Sequence, residues 1–311
     1  MTYREGWIDV NQVPTRVQTW GGWIEDSLGE SSGSDIIIFI PGNPGITSFY
    51  HNFLSSLHQE LGVPVWIACH TGHEVPPKSS KLKFPQDPNL YDMSGQVAHK
   101  LSFIKSFAPA NRKLILIGHS LGAKIVSELL KDEQVAKNVK KCFLLMPTLE
   151  RIAQTPNGKF LSRLLAYFMS VILFLAWVFS HFSHKCRVFL ISGWFYLTRQ
   201  HNVDSHCMDA VCILTLPSVL RRVFNLALDE MEKILELDIE VLNSNWRKMH
   251  VYFARKDGWA PLSYMDSLKQ AFPDINAKVL GEQFRHVFVL DNPEEMADLL
   301  ASQMKTDIKS S

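Results

Sequence analysis

The chain predicts an α/β fold: a mostly parallel sheet covered by helices on both faces and interrupted by an apolar helical insertion. Three observations carry this. β-Branched apolar runs recur at intervals long enough to hold a helix between them. One of those runs ends in Gly-His-Ser-Leu-Gly and resumes at once with helical spacing. Between about residues 150 and 245 the rhythm stops, apolar helix-type sequence takes over, and strands then return.

Taken in order, "GWIDVNQVPTRVQTWGGW" alternates in polarity around turn residues and predicts an antiparallel hairpin at a sheet edge. "GESSGS" (29–34) predicts a turn. "DIIIFI" (35–40) is nearly continuous in β-branched residues, as a strand buried on both faces requires. "VPVWIACH" (63–70), "KLILIG" (113–118), "KCFLLM" (141–146), "MHVYFA" (249–254) and "NAKVL" (276–280) read the same way. Helical patterns fall at 48–61, about 92–107, 121–131, 262–271 and 291–304, while the Pro- and Lys-rich segment 72–91 predicts a loop. Within the insertion, 218–235 carries Leu220, Phe224, Ala227, Met231 and Leu235 on one stripe, with Ser218 placed to cap it. The closing "TDIKSS" predicts a frayed end. These segments divide the chain into a first core part (1–149), a helical cap (150–245) and a second core part (246–311).

A net charge of +1 argues against nucleic acid or a strongly charged substrate as partner. The opening "MTYREGWIDV" lacks the basic and apolar regions of a secretory signal. Five scattered cysteines (Cys69, Cys142, Cys186, Cys207, Cys212) predict reduced thiols rather than a disulfide framework, and none completes a zinc spacing.

Strand, Gly-x-Ser-x-Gly and helix in succession form a nucleophile elbow. Gly118 and Gly122 leave room for the crossing, Ser120 projects its hydroxyl, and the helix starting at Leu121 aims free N–H groups at a developing anion. A serine nucleophile needs a base and an orienting carboxylate, in the chain order serine, acid, histidine. Asp257, in "ARKDGWAP", and His286, in "EQFRHVFVL", follow the last two strands as that order demands. Glu150 is the rival acid, after the strand at 141–146. His119 is expected to pack beneath the site. The oxyanion donors are assigned to the N–H groups of Leu121 and of Asn43, in the loop "FIPGNPGITSFY".

Leu164 to Ser183 is a run of 20 residues without formal charge, long enough to cross a bilayer. A single crossing would part Ser120 from Asp257 and His286. The run and its successor "VFLISGWFYL" (188–197) are therefore expected to lie shallowly in a lipid interface, with Leu164, Phe174, Trp177, Phe179, Trp194 and Tyr196 in contact with lipid. A deep hairpin would instead drive His181, His184, Lys185 and Arg187 into hydrocarbon.

"FIPGNPG", "GHSLG", "ARKDGWAP" and "FRHVFVL", with the apolar insertion between the second and third, resemble the lipid-droplet-associated hydrolases of the α/β-hydrolase superfamily. The resemblance implies a serine hydrolase of neutral lipid esters, sterol esters among them, on the cytosolic face of lipid droplets and the endoplasmic reticulum. It implies Ser120, Asp257 and His286 as triad, no metal or organic cofactor, and no nucleic-acid partner. The competing expectations are a droplet-binding or remodelling protein with weak or vestigial hydrolysis, a soluble cytosolic esterase with a helical lid, and an acyltransferase.

Overall fold

A computed structural model describes residues 3–26, 35–198 and 203–309; the expected turn at 29–34 lies outside them. The chain opens with the hairpin β1 (Tyr3–Val10) and β2 (Val13–Trp20), then β3 (Asp35–Ile40), α1 (His51–Leu61), β4 (Val65–Ala68), α2 (Met93–Phe107), β5 (Lys113–His119), α3 (Leu121–Leu129), α4 (Glu133–Asn138) and β6 (Val139–Leu145). Five helices follow: α5 (Pro156–Ser180), α6 (His184–Leu197), α7 (Ser205–Leu214), α8 (Pro217–Lys233) and α9 (Ile239–Asn245). The core resumes with β7 (Met249–Phe253), α10 (Leu262–Ala271), β8 (Asn276–Val279), the single turn α11 (Phe288–Asp291) and α12 (Pro293–Lys309).

The eight strands lie in the order β1-β2-β4-β3-β5-β6-β7-β8. The hairpin is antiparallel and so is β2 against β4; β4 through β8 run parallel. Both faces of the central strands are buried with period 2. Ile36, Ile38, Leu114 and Leu116 enter one core layer, and Ile37, Phe39, Ile115 and Ile117 enter the other. That double burial explains why these strands read as unbroken apolar runs.

Three expectations need correction. Ser218 is not the cap of α8: the helix starts one residue earlier, at Pro217, whose missing N–H suits a first helical position, and Leu216 precedes it without a side-chain cap. The buried face of α8 is Val219, Val223, Leu226, Ala227 and Glu230, turned from the expected stripe, and Leu235 lies beyond the helix and is exposed. The C-terminal helix continues to Lys309, past the point where the sequence suggested fraying. The cysteines are all free, with Cys186 exposed and the other four buried.

Trp66 on β4 is fully buried and its indole N–H donates to the Gly22 carbonyl at 3.3 Å. Trp66→Ala is expected to lower stability by about 3–5 kcal/mol through the cavity it leaves, read as a lower urea midpoint.

Candidate active site

β5 ends at His119 and α3 starts at Leu121, so Ser120 alone makes the turn. Its backbone sits at φ 52°, ψ −120°, a conformation that a residue with a side chain adopts only under constraint. The constraint is visible in its glycines. A Cβ on Gly118 would lie 2.5 Å from the Gly122 carbonyl oxygen, and one on Gly122 would overlap the Ile40 carbonyl oxygen. The turn is clamped further by the Ser120 N–H, which donates to Leu145 at 2.9 Å, and by its carbonyl, which accepts from Ala123 at 3.0 Å.

Ser120 Oγ is 3.0 Å from Nε2 of His286, in the loop after β8. Nδ1 of the same ring is 2.8 Å from Oδ2 of Asp257, in the loop after β7. Oδ1 of Asp257 accepts the N–H groups of Trp259 at 2.7 Å and Ala260 at 3.1 Å. Burial works to raise the pKa of this carboxyl, but the His286 hydrogen bond and charge and the two amides outweigh it and hold the pKa below the usual value. An ionised Asp257 accepts only, so His286 carries its proton on Nδ1 and offers a bare Nε2 to the serine hydroxyl. Glu150, the rival acid, is buried and pairs with Arg151 at 2.5 Å. Its burial outweighs that cation and raises its pKa.

The two residues expected as oxyanion donors belong to the two segments that adjoin Ser120. Leu121 opens α3, so its N–H is one of the first-turn donors that the helix itself leaves unpartnered. Asn43 follows Gly42, whose Cβ position would be 3.1 Å from the Ser120 Cβ. Tyr50 holds this loop. Its hydroxyl accepts the Gly42 N–H at 2.9 Å and contacts His119 Nδ1 at 2.9 Å. His119 Nε2 in turn lies 2.9 Å from the His286 carbonyl oxygen. A carbonyl only accepts, so His119 is protonated on Nε2 and takes the Tyr50 proton on Nδ1. Burial lowers the His119 pKa to about 3, with the His286 charge adding to the effect. This ring is a neutral strut under the site. Tyr50 escaped the sequence reading because a lone aromatic just before a helix carries no pattern.

Above Ser120 and His286 opens a cavity of about 620 Å³ roofed by α5 to α8 and walled by apolar side chains such as Ile191, Phe195, Leu214 and Phe224. Phe224, Ala227 and Met231, part of the stripe expected of α8, face this cavity. α8 is tied to the core on its other side. The Arg222 guanidinium lies 3.7 Å from the centre of the Tyr91 ring and 4.5 Å from that of Phe84. Lys233 pairs with Asp92, the residue before α2, at 2.8 Å.

The outside of the cap is apolar as well. α5 is long and apolar enough to cross a membrane, yet only 11% of its most apolar window is buried, unlike the core helix of a soluble protein. Of the six side chains expected to touch lipid, Phe174, Trp177, Trp194 and Tyr196 are exposed. Leu164 and Phe179 are half-buried, because the helical period turns them toward the inner stripe of Leu165, Leu173 and Ala176. Tyr167, Phe168, Phe189 and Leu197 join the outer face instead.

Gly122→Ala forces a methyl group into the Ile40 backbone. The expected cost is at the upper end of the ~1–3 kcal/mol typical of overpacking, seen as a lower urea midpoint together with loss of reactivity at Ser120.

The family model for lipid-droplet associated hydrolase matches residues 33–289. The lipid droplet-associated hydrolase of Drosophila melanogaster is 33% identical over 307 residues, covering 97% of this chain and 98% of its own. That of Gallus gallus is 31% identical over 305 residues, with 94% and 92% covered. Among solved structures, a bacterial membrane phospholipase A superposes with a TM-score of 0.67 at 14% identity, covering 98% of this chain and 86% of that one. At that identity the likeness shows the fold alone, which is that of the α/β-hydrolases. With relatives this similar over nearly the whole of both chains, the protein belongs to the lipid droplet-associated hydrolase family.

Proposed function

We propose that this protein hydrolyses neutral lipid esters, sterol esters among them, at the cytosolic surface of lipid droplets and the endoplasmic reticulum, through a Ser120–His286–Asp257 triad. The observation that carries the reading is the continuous hydrogen-bonded path from Asp257 through His286 to Ser120 at the floor of an apolar cavity. Membership of a family whose members are named for hydrolysis and for lipid droplets supports it.

His286 Nε2 takes the Ser120 proton as Oγ attacks the ester carbonyl, and Asp257 stabilises the imidazolium that forms. The N–H groups of Asn43 and Leu121 receive the oxyanion; such donors are each worth about 10²–10³ in turnover. His286 then returns its proton to the departing alcohol, leaving an acyl group on Ser120. A water molecule deprotonated by the same nitrogen releases the fatty acid.

Ser120 precedes the apolar helices in sequence and His286 follows them, yet their side chains are 3.0 Å apart. A single crossing by α5 is incompatible with that distance. The cap is therefore laid on the lipid surface by the outer faces of α5 and α6, with the exposed His184 and Lys185 at the start of α6 kept at the headgroups. A monotopic attachment of this kind leaves both halves of the core on one side.

Wild type is expected to be labelled by a fluorophosphonate and Ser120→Ala is not, and only wild type should release fatty acid from emulsions of sterol ester, triacylglycerol and short-chain ester. An unlabelled wild type whose effect on droplets equals that of Ser120→Ala would favour a binding or remodelling role. Asp257→Asn should fold normally and slow turnover by about 10³–10⁴, because the imidazole loses its required tautomer. Replacing Tyr167, Phe168, Phe174 and Leu175 together by serine should move the protein from floating droplets to the soluble fraction without changing its hydrolysis of a soluble short-chain ester. Retention on droplets would remove α5 from the docking surface.

A further inference from the structure

Glu230 is the one acid among the described residues lining the cavity, and it sits on the buried face of α8 at 4% exposure. Its Oε1 accepts the Asn43 Nδ2 at 2.8 Å, which also donates to the Val223 carbonyl at 3.1 Å. Among the described residues, Oε2 has no hydrogen-bond partner. Asn43 Oδ1 beside it is also buried without a partner, whereas Tyr50 and His119 engage each other and the Thr215 hydroxyl donates to the Cys212 carbonyl at 2.9 Å. Burial raises the carboxyl pKa to about 8 against the Asn43 hydrogen bond, with the charge of Asp229 adding to the rise. At neutral pH the group is an uncharged acid, able to donate as well as accept.

A lipid filling this cavity expels its water, so any polar atom left facing hydrocarbon becomes unpaired. A pocket built only to hold alkyl chains and rings has no use for such a group. We infer that Glu230 is a recognition point for a free hydroxyl on the substrate, placed one side chain from the Asn43 end of the oxyanion loop. The class of ester this selects carries an unesterified hydroxyl within a few bonds of the scissile carbonyl, as a partial acylglycerol does. A neutral carboxyl suits an uncharged hydroxyl; a bound cation would draw off its proton. The inference rests on the hydrolase reading above and adds to it which esters are preferred.

The test compares 1,2-diacylglycerol with its 3-O-methyl ether in the same mixed micelles, using the full chain and counting only enzyme that a fluorophosphonate labels. Wild type is expected to favour the free hydroxyl by about tenfold or more in kcat/KM, the discrimination a site built around a hydroxyl exerts against the analogue lacking it. Glu230→Leu should bring the ratio close to unity, while Glu230→Gln, which still donates and accepts, should keep most of it. Equal rates on the two lipids in wild type overturn the inference, and so does an unchanged ratio in Glu230→Leu. Labelled wild type that hydrolyses sterol ester but neither acylglycerol also overturns it and leaves the serine-hydrolase reading standing. Absence of labelling instead removes the hydrolase reading itself. If Glu230→Leu yields no labelled protein, the wild-type pair and Glu230→Gln still decide.

Discussion

Between the end of β3 and the first turn of α3 there is no space for a side chain. The backbone of Gly122 rests on the carbonyls of Ile40 and Pro41, and Gly118 lies against Gly122. That contact fixes three things at once. It holds Ser120 in its left-handed conformation, it starts α3 directly after the serine, and it brings the Gly42–Asn43 loop alongside. The geometry of the site is thus set by backbone packing in the sheet, where it is stiff, rather than by the loops, where it would be soft.

Two histidines within van der Waals range of each other take opposite parts because their surroundings differ. His119 is sealed between Tyr50 and the His286 backbone, so burial keeps it neutral and its hydrogen bonds are spent on structure. His286 faces a buried carboxylate on one side and the serine on the other, so both of its ring nitrogens are turned to side chains that differ in what they accept and donate. The choice of acid follows the same logic. Glu150 is as buried as a triad acid should be, but Arg151 occupies it, whereas two backbone amides aim Asp257 at the imidazole.

Much of this is legible in the sequence. Continuous β-branched runs mark strands covered on both faces, and Gly-x-Ser-x-Gly between a strand and a helix admits few other geometries. The Ser120, Asp257 and His286 side chains come together as their chain order required. What the sequence hid has a common cause. The apolar residues of α8 line two surfaces, one against the core and one against the cavity, so a single stripe could not be told from its neighbour. Leu164 and Phe179 read as lipid-facing because α5 is apolar all round, and only packing shows which side is inward. Tyr50 against His119 and Glu230 against Asn43 are pairings between residues far apart in sequence, and such pairings leave no local signal.

A cap that is apolar on both its outer and inner faces answers a problem set by the substrate. Exposing hydrocarbon to water costs about 0.8 kcal/mol per methylene, so a long acyl chain released into water on its way to a soluble enzyme meets a barrier on the order of 10 kcal/mol. Apolar walls that continue from the outer surface of α5 and α6 into the cavity reduce that barrier, because Trp194 is exposed outside and lines the cavity too. The same continuity constrains the chemistry. Once hydrocarbon fills the cavity, the few polar atoms left inside act at low dielectric, where each hydrogen bond and each unpaired group counts for more than it would in water. In this setting the ties that fix α8 to the core, Arg222 against Tyr91 and Phe84 and Lys233 with Asp92, do more than hold a lid in place. They keep Glu230 against Asn43, and so keep the roof of the cavity in register with the Gly42–Asn43 loop beside Ser120.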